Sequence, residues 1–514
     1  MIQSVNLLTL NNLSFFRMTR TFNWKIVFKT LGALLLIEAI FMCAPTLVSY
    51  FYHDWDTGAF IVSTSITFIA GLVGLLSGRK APKKVGQREG YAIVASIWIV
   101  FSAFGCLPFY LSGACTTITD SYFESMSGFS TFGGTIFNDV EILSHGILFW
   151  RSLSQWIGGM GIIVLSIAVL PMFGLGGMQL YSAEVTGVSY EKLGPRISGT
   201  AKSMWMMYIV LTLTEVGLLW LCGMEGFDSV CHSLSTIATG GFSTKNASIL
   251  GYSPTIQWIV GIFMLLAGIN FTLLIFVFRG KPSRLWKDEE TRWYIVGLLL
   301  FTMLLAVGLV RHYFPSTDVT ADWSTKLQVV EKATREAFFT VVSAVTSTGF
   351  AAADYTDWPK LFWVFVVFLM LLGGCAGSTA GGMKQIRVIL LLKNGIAECR
   401  RRIHPNAIIP AKLNGKPVAQ QTINDVMAFM FFYLAITLLG IMIFCACGLP
   451  FDLSVGTAIS AVGDVGVCIG NFAPVGSYAC FPALAKWVCA LMMLVGRLEI
   501  FTVLLLFSPT LWRK

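Results

Sequence analysis

Four short stretches of this chain share serine and glycine at similar spacing: SMSGFSTFGGT (125–135), SLSTIATGGFST (233–244), SAVTSTGF (343–350) and SAVGDVGV (460–467). Ser127, Ser343 and Ser460 each stand six positions before a glycine, at Gly133, Gly349 and Gly466. The second copy reads as centred on Gly240, where the matching position is Leu234 and serines flank it. The chemistry open to such stretches is that of the peptide group. Glycine permits positive φ and lets a backbone turn its carbonyl toward an axis. Rings of such carbonyls replace the hydration shell of a potassium ion in a selectivity filter. The competing reading is that these are small-residue patches where membrane helices pack closely. Four copies in corresponding positions favour the first reading.

Other chemistries find little support. The histidines (His53, His145, His232, His312 and His404) are scattered, with no HExxH or other metal spacing, and read as loop or interface residues. A membrane enzyme acting on lipid or prenyl substrates needs a His, Asp or Glu cluster at the interface, and none is visible. No GxxxxGK[ST] phosphate loop occurs, so the chain calls for no nucleotide cofactor. The 12 cysteines form no CxxC pair; Cys468 and Cys480 are close enough in sequence to pair, but their spacing is no disulfide signature.

The elements that must hold these stretches are membrane helices. The chain has 514 residues, 55% hydrophobic and 12% charged, with a mean hydropathy of +0.73. A soluble domain carries about 25% charged residues. About 20 apolar helical residues span a hydrocarbon core. Ten segments qualify, near 30–51, 58–78, 89–112, 145–171, 202–223, 254–278, 292–312, 360–393, 423–447 and 483–508. The first follows Arg17, Arg20, Lys25 and Lys29 and reads as a retained helix rather than a cleaved signal peptide, since Phe51, Tyr52, His53 and Asp54 follow it. The stretches before each glycine, such as 120–130 and 452–463, are about 11 residues or roughly 16 Å of helix, half a membrane. They enter and cannot cross, and their negative C-terminal ends favour a cation.

The net charge of +9 is segregated. Arg79, Lys80, Lys83, Lys84 and Arg88 occupy one loop; Lys192 and Arg196 another; then Arg279, Lys281, Arg284 and Lys287; then Arg400, Arg401, Arg402, Lys412 and Lys416; finally Arg513 and Lys514. Segment 113–144 has Asp120, Glu124, Asp139 and Glu141 without Lys or Arg, and 448–482 has Asp452 and Asp464 alone. The positive-inside rule places the basic loops and both termini in the cytoplasm. Membrane topology thus accounts for the basic charge, and no nucleic-acid partner is expected.

Two further features stand out. GGCAGSTAGG (373–382) puts five glycines in ten residues and must break segment 360–393. A broken helix at membrane depth marks a cavity or pathway, or a kink for close packing. Arg497 is expected near the middle of the last apolar segment, where an arginine costs about 2.5–3.5 kcal/mol and turns to a cavity or a partner. Glu499, two residues away, faces elsewhere. Lys384 and Arg387, after the glycine run, read as snorkelling anchors rather than contributors to a gate.

QWIGGMGIIVLSIAVLP (155–171) with GGMQLYSAE (176–184), GGCAGSTAGGMKQIR (373–387) and AKWVCALMMLVGRLEIFT (485–502) resemble the Trk/Ktr/HKT superfamily of potassium transporters, specifically its bacterial TrkH type, over nearly the whole chain. The resemblance implies an all-α membrane protein of about ten transmembrane helices and four re-entrant half-helices: an N-terminal helix pair (1–88), then four pseudo-symmetric helix–pore loop–helix units (89–172, 173–279, 280–393 and 394–514). It implies ion coordination by Phe132 and Gly133, Thr239 and Gly240, Thr348 and Gly349, and Val465 and Gly466. In plant relatives a serine for the first filter glycine accompanies sodium preference; four glycines here favour potassium. Phe132, where the bacterial type usually has threonine, and Asp464, where a neutral residue is common, are departures. The resemblance further implies a gate made by Gly373, Gly374, Gly377, Ser378, Gly381 and Gly382 with Arg497. It also implies a homodimer in the cell's inner membrane, in contact with membrane lipid, and a cytoplasmic nucleotide-binding partner of the TrkA type.

Overall fold

A computed structural model describes residues 22–81, 86–159, 161, 197–314, 323–355, 357–467 and 476–509. The protein is an all-α membrane protein, and among the described residues the one sheet is a two-stranded hairpin, Lys412–Leu413 with Lys416–Pro417. Each of the ten apolar segments carries helix. Six unbroken stretches are long and apolar enough to span: Trp24–Phe51, Thr57–Ser77, Arg88–Leu111, Ala201–Leu221, Glu289–Tyr313 and Gln420–Ala446. The expected segment 145–171 is described as helix from His145 to Gly159. The basic residues at 17, 20, 83, 84, 192, 196, 513 and 514, the motif 176–184 and Cys468 lie outside the described residues.

Two segments read as single spans are bent instead. Pro254–Ala267 and Phe271–Phe278 meet at 107°, and Ala483–Arg497 and Phe501–Phe507 at 117°. At the first break Asn270 caps the new helix, its side chain accepting from the Thr272 N–H at 2.8 Å. At the second, Glu499 and Ile500 both take positive φ, which ends the ladder. The glycine run breaks its segment as expected, between Lys360–Leu372 and Gln385–Ile403.

Four helices precede the glycine stretches: Ile118–Ser130, Gly226–Ile237, Trp323–Val345 and Phe451–Gly463. Three have 12 or 13 residues, as the half-span expectation requires; the third has 23 and begins well before the buried part. Each packs on the helix before it, respectively Gln87–Gly105, Ile197–Leu221, Glu289–Tyr313 and Gln420–Ala446. Each also packs on the helix that follows the loop of a neighbouring unit: the first on Ala483–Arg497, the second on His145–Gly159, the third on Pro254–Ala267, the fourth on Lys360–Leu372. This cyclic exchange closes four units into a ring.

Candidate functional site

The half-helices all end in the same way. The residue after the last turn is left-handed: Thr131 (φ 61°), Thr239 (54°), Ser347 (54°) and Asp464 (51°). The next N–H reaches back to the carbonyl five residues earlier, Phe132 to Ser127, Gly240 to Ser235, Thr348 to Ser343 and Val465 to Ser460, at 2.9–3.0 Å. This is the 6→1 bond of a helix C-cap. Non-glycine residues in that conformation cost about 1–3 kcal/mol each, so four of them persist only because surrounding contacts hold them.

Then comes a glycine with φ of 82°, 80°, 80° and 79°, at Gly133, Gly241, Gly349 and Gly466. A Cβ at Gly133 would strike the carbonyl oxygen of Gly240; at Gly241, that of Thr348; at Gly349, that of Val465; at Gly466, that of Phe132. The four loops therefore meet, each glycine against the carbonyl of the next, and the circle closes. All four glycines line one cavity, and they are partly exposed while Phe132, Gly240, Thr348 and Val465 beside them are buried.

This geometry corrects the second loop by one residue. Gly240 and Gly241, not Thr239 and Gly240, match the pairs in the other three loops. Thr239 belongs with Thr131, Ser347 and Asp464 one layer deeper, and its hydroxyl bonds the Ala238 carbonyl at 2.6 Å. The signal was present: Ser235, not Leu234, stands six positions before Gly241.

Phe132 keeps its ring out of the circle, packed at 6.4 Å from Phe123 and 5.5 Å from Tyr478. What it presents to Gly466 is its carbonyl. Sequence reasoning missed the residues that brace the ring. Gln155 bonds both the Gly240 carbonyl (2.6 Å) and the Phe242 N–H (3.1 Å). Glu124 accepts from Arg151 Nε (2.7 Å) and the Ile136 N–H (2.9 Å), while Arg151 also donates to the Ser243 carbonyl (3.1 Å). An acid and an arginine 27 residues apart in apolar surroundings, both at most 2% exposed, were the available sign. His232, expected in a loop or interface, is fully buried in the second half-helix, bonded to the Asp228 carbonyl and the Ser243 hydroxyl.

Beneath the ring lies the glycine run. The Gly381 N–H donates to the Ser347 hydroxyl, and the Gly382 N–H to the Gly463 carbonyl at 3.0 Å. The Thr379 hydroxyl reaches the carbonyls of Ile237 (3.0 Å) and Ala267 (3.3 Å). Gly373, Gly377 and Gly382 take positive φ, near 73–75°, while Gly374 accepts from the Gln385 N–H and the Ser378 hydroxyl bonds Cys375. Arg497 meets the run at Thr379. Its guanidinium donates to the Thr131 hydroxyl (3.2 Å) and to the carbonyls of Thr379 (3.1 Å), Gly159 (3.0 Å) and Gly158. It is the last residue of Ala483–Arg497, at a bend, rather than mid-helix. Thr379 and Arg497 together touch all four units.

This architecture has known counterparts. A family model described as TrkH, cation transport protein, matches residues 58–514. The chain belongs to the TrkH family. It is accordingly a transport protein and not an enzyme. It is 37% identical over 497 residues to the Trk system potassium uptake protein TrkH of Escherichia coli, covering 96% of this chain and 100% of the relative. The corresponding protein of Halomonas elongata is 38% identical over 495 residues, 95% of this chain and 99% of its own. The crystal structure of the potassium transporter TrkH from Vibrio parahaemolyticus superposes with a TM-score of 0.84 at 34% identity, over 96% of this chain and 100% of that one.

Two residues of this TrkH-family chain depart from their sequence reading. Lys384 does not snorkel: its ammonium caps the Ala380 carbonyl inside the fold. Arg387, 6% exposed, pairs with Glu499 and lies 4.0 Å from the Phe429 ring. Lys384 finds its partner within the glycine run and Arg387 at the bend near 499, so neither has reason to extend to an interface. Glu499, in the bend beyond Ala483–Arg497, pairs with Arg387.

Proposed function

We propose that this chain carries potassium across the cell's inner membrane through the ring of loops, down the electrochemical gradient. About 2.3 kcal/mol per 100 mV is available to each entering cation. The carbonyls of Phe132, Gly240, Thr348 and Val465, with Gly133, Gly241, Gly349 and Gly466, replace the water around one dehydrated ion. The observation that carries this reading is the closed circle of glycine against carbonyl. The relatives' names as potassium uptake proteins support the choice of ion. Four glycines with φ within 79–82° leave no side chain to intrude on the axis.

Gly373, Gly374, Gly377, Ser378, Gly381 and Gly382 form the gate with Arg497, whose positive charge opposes a cation leaving the ring. The four units span about 89–172, 173–279, 280–393 and 394–514, after an N-terminal pair in 1–88. Both termini face the cytoplasm, and the chain works as a homodimer in lipid. Exposed Arg279, Lys281, Lys287, Arg400, Arg402, Lys412 and Lys416 form the basic face on which a cytoplasmic nucleotide-binding subunit of the TrkA type docks. Rubidium and sodium uptake into vesicles tests the selectivity. Rubidium is expected to exceed sodium, and Gly133→Ser, whose Cβ would strike the Gly240 carbonyl, to cut uptake of both; equal fluxes in the unaltered chain refute it.

A further inference from the structure

The left-handed position at the foot of each loop holds a hydroxyl in three units and a carboxylate, Asp464, in the fourth. Thr131, Thr239 and Ser347 donate to the carbonyl before them. Asp464 makes no such bond. Asp464 is 1% exposed, and neither of its oxygens has a hydrogen-bond partner. Among the described residues Glu38 and Glu215 share that condition, but they lie on long helices and not in a loop of the ring.

Its position says what it is open to. A Cβ at Gly496 would lie 3.1 Å from Asp464 Oδ2, so the carboxylate rests on the backbone next to Arg497, with no side chain at 496 between them. Asp464 Cβ and the Ser347 hydroxyl both flank Gly381 at the tip of the glycine run. Arg497 meanwhile donates to neutral oxygens of Thr131, Gly158, Gly159 and Thr379. Lys384, the other cation that acts on Asp464, is held by the Ala380 carbonyl.

A buried guanidinium cannot leave its acceptors unless others receive it. A carboxylate accepts two parallel N–H bonds from arginine, a stronger arrangement than neutral carbonyls offer. We propose that Asp464 is the alternative partner of Arg497: when the glycine run withdraws the Thr379 carbonyl, the guanidinium swings onto the Asp464 carboxylate and clears the ion path. Asp464 is then a positioning residue for opening, acting through Arg497, and this rests on the reading of Arg497 as a barrier.

The test is a double-mutant cycle read as rubidium uptake into vesicles. Asp464→Asn is expected to lower uptake about tenfold, a coupling of ordinary size, and Asp464→Glu to restore most of it. In an Arg497→Ala background, where no guanidinium needs a resting place, Asp464→Asn is expected to have no effect, and that high uptake also reports a folded protein. An equal drop in both backgrounds would mean that Asp464 acts on the ion or on folding, which overturns the proposal. Failure of Arg497→Ala alone to raise uptake would instead refute the barrier reading.

Discussion

The ring of loops and the plug beneath it are built on opposite principles. In the ring four units contribute the same backbone, from the 6→1 cap bond to a glycine whose φ varies by 3° between loops. In the plug no two units contribute alike: the third gives the glycine run, the fourth gives Arg497, the first offers Thr131, Gly158 and Gly159, the second Ile237 and Ala267. Coordinating a naked ion calls for equal ligands on all sides. Closing a path and reopening it calls for a part that moves against parts that do not. On the proposed reading, backbone atoms serve the first task because their positions are fixed by φ and ψ, and side chains with alternative partners serve the second.

The largest effect that would break this contrast comes from the ring. Gly241→Ala puts a Cβ against the Thr348 carbonyl at positive φ and is expected to cut rubidium uptake about a hundredfold, about 2.7 kcal/mol in a rate. Gly240→Ala meets the Gln155 side chain rather than backbone, at the cost of that brace, and is expected to cost about tenfold or less. A larger loss at Gly240 than at Gly241 would restore the register read from sequence and undo the equivalence of the four loops. Next, Arg497→Ala is expected to raise uptake about tenfold by removing the charge below the ring. Thr379→Val, which removes the hydroxyl tying the glycine run to Ile237 and Ala267, is expected to raise it only a few-fold, since one neutral hydrogen bond contributes about 1 kcal/mol. Phe132→Leu is expected to leave the rubidium-to-sodium ratio unchanged and to lower the midpoint of thermal unfolding, because the ring packs behind its loop. A changed ratio would show that the side chain reaches the ion.

Much of the ring was legible because it is repeated. The serine six positions before each glycine recurs for a physical reason: its carbonyl accepts the cap bond that starts the loop. The one error lies in the second copy, where Gly240 and Gly241 follow two serines, Ser233 and Ser235; counting six from Ser235 gives Gly241. The bends at 268–270 and 498–500 were hidden because apolar runs continue on both sides of Asn270 and of Arg497 and Glu499, and hydropathy reports surroundings rather than dihedral angles. Arg497 was visible as a costly charge, but its place at the end of a helix depended on that unseen bend. Gln155 and the Glu124–Arg151 pair were not recognised as supports because their partners come from other units, at separations no local pattern encodes.

The central claim is that four sets of peptide oxygens hold one ion. A density map of the protein in rubidium, with anomalous or difference density for the heavier ion, tests it most directly. The account predicts a peak on the axis among the carbonyls of Phe132, Gly240, Thr348 and Val465. An empty axis at saturating rubidium, or a peak only beside the Asp464 carboxylate, would contradict it.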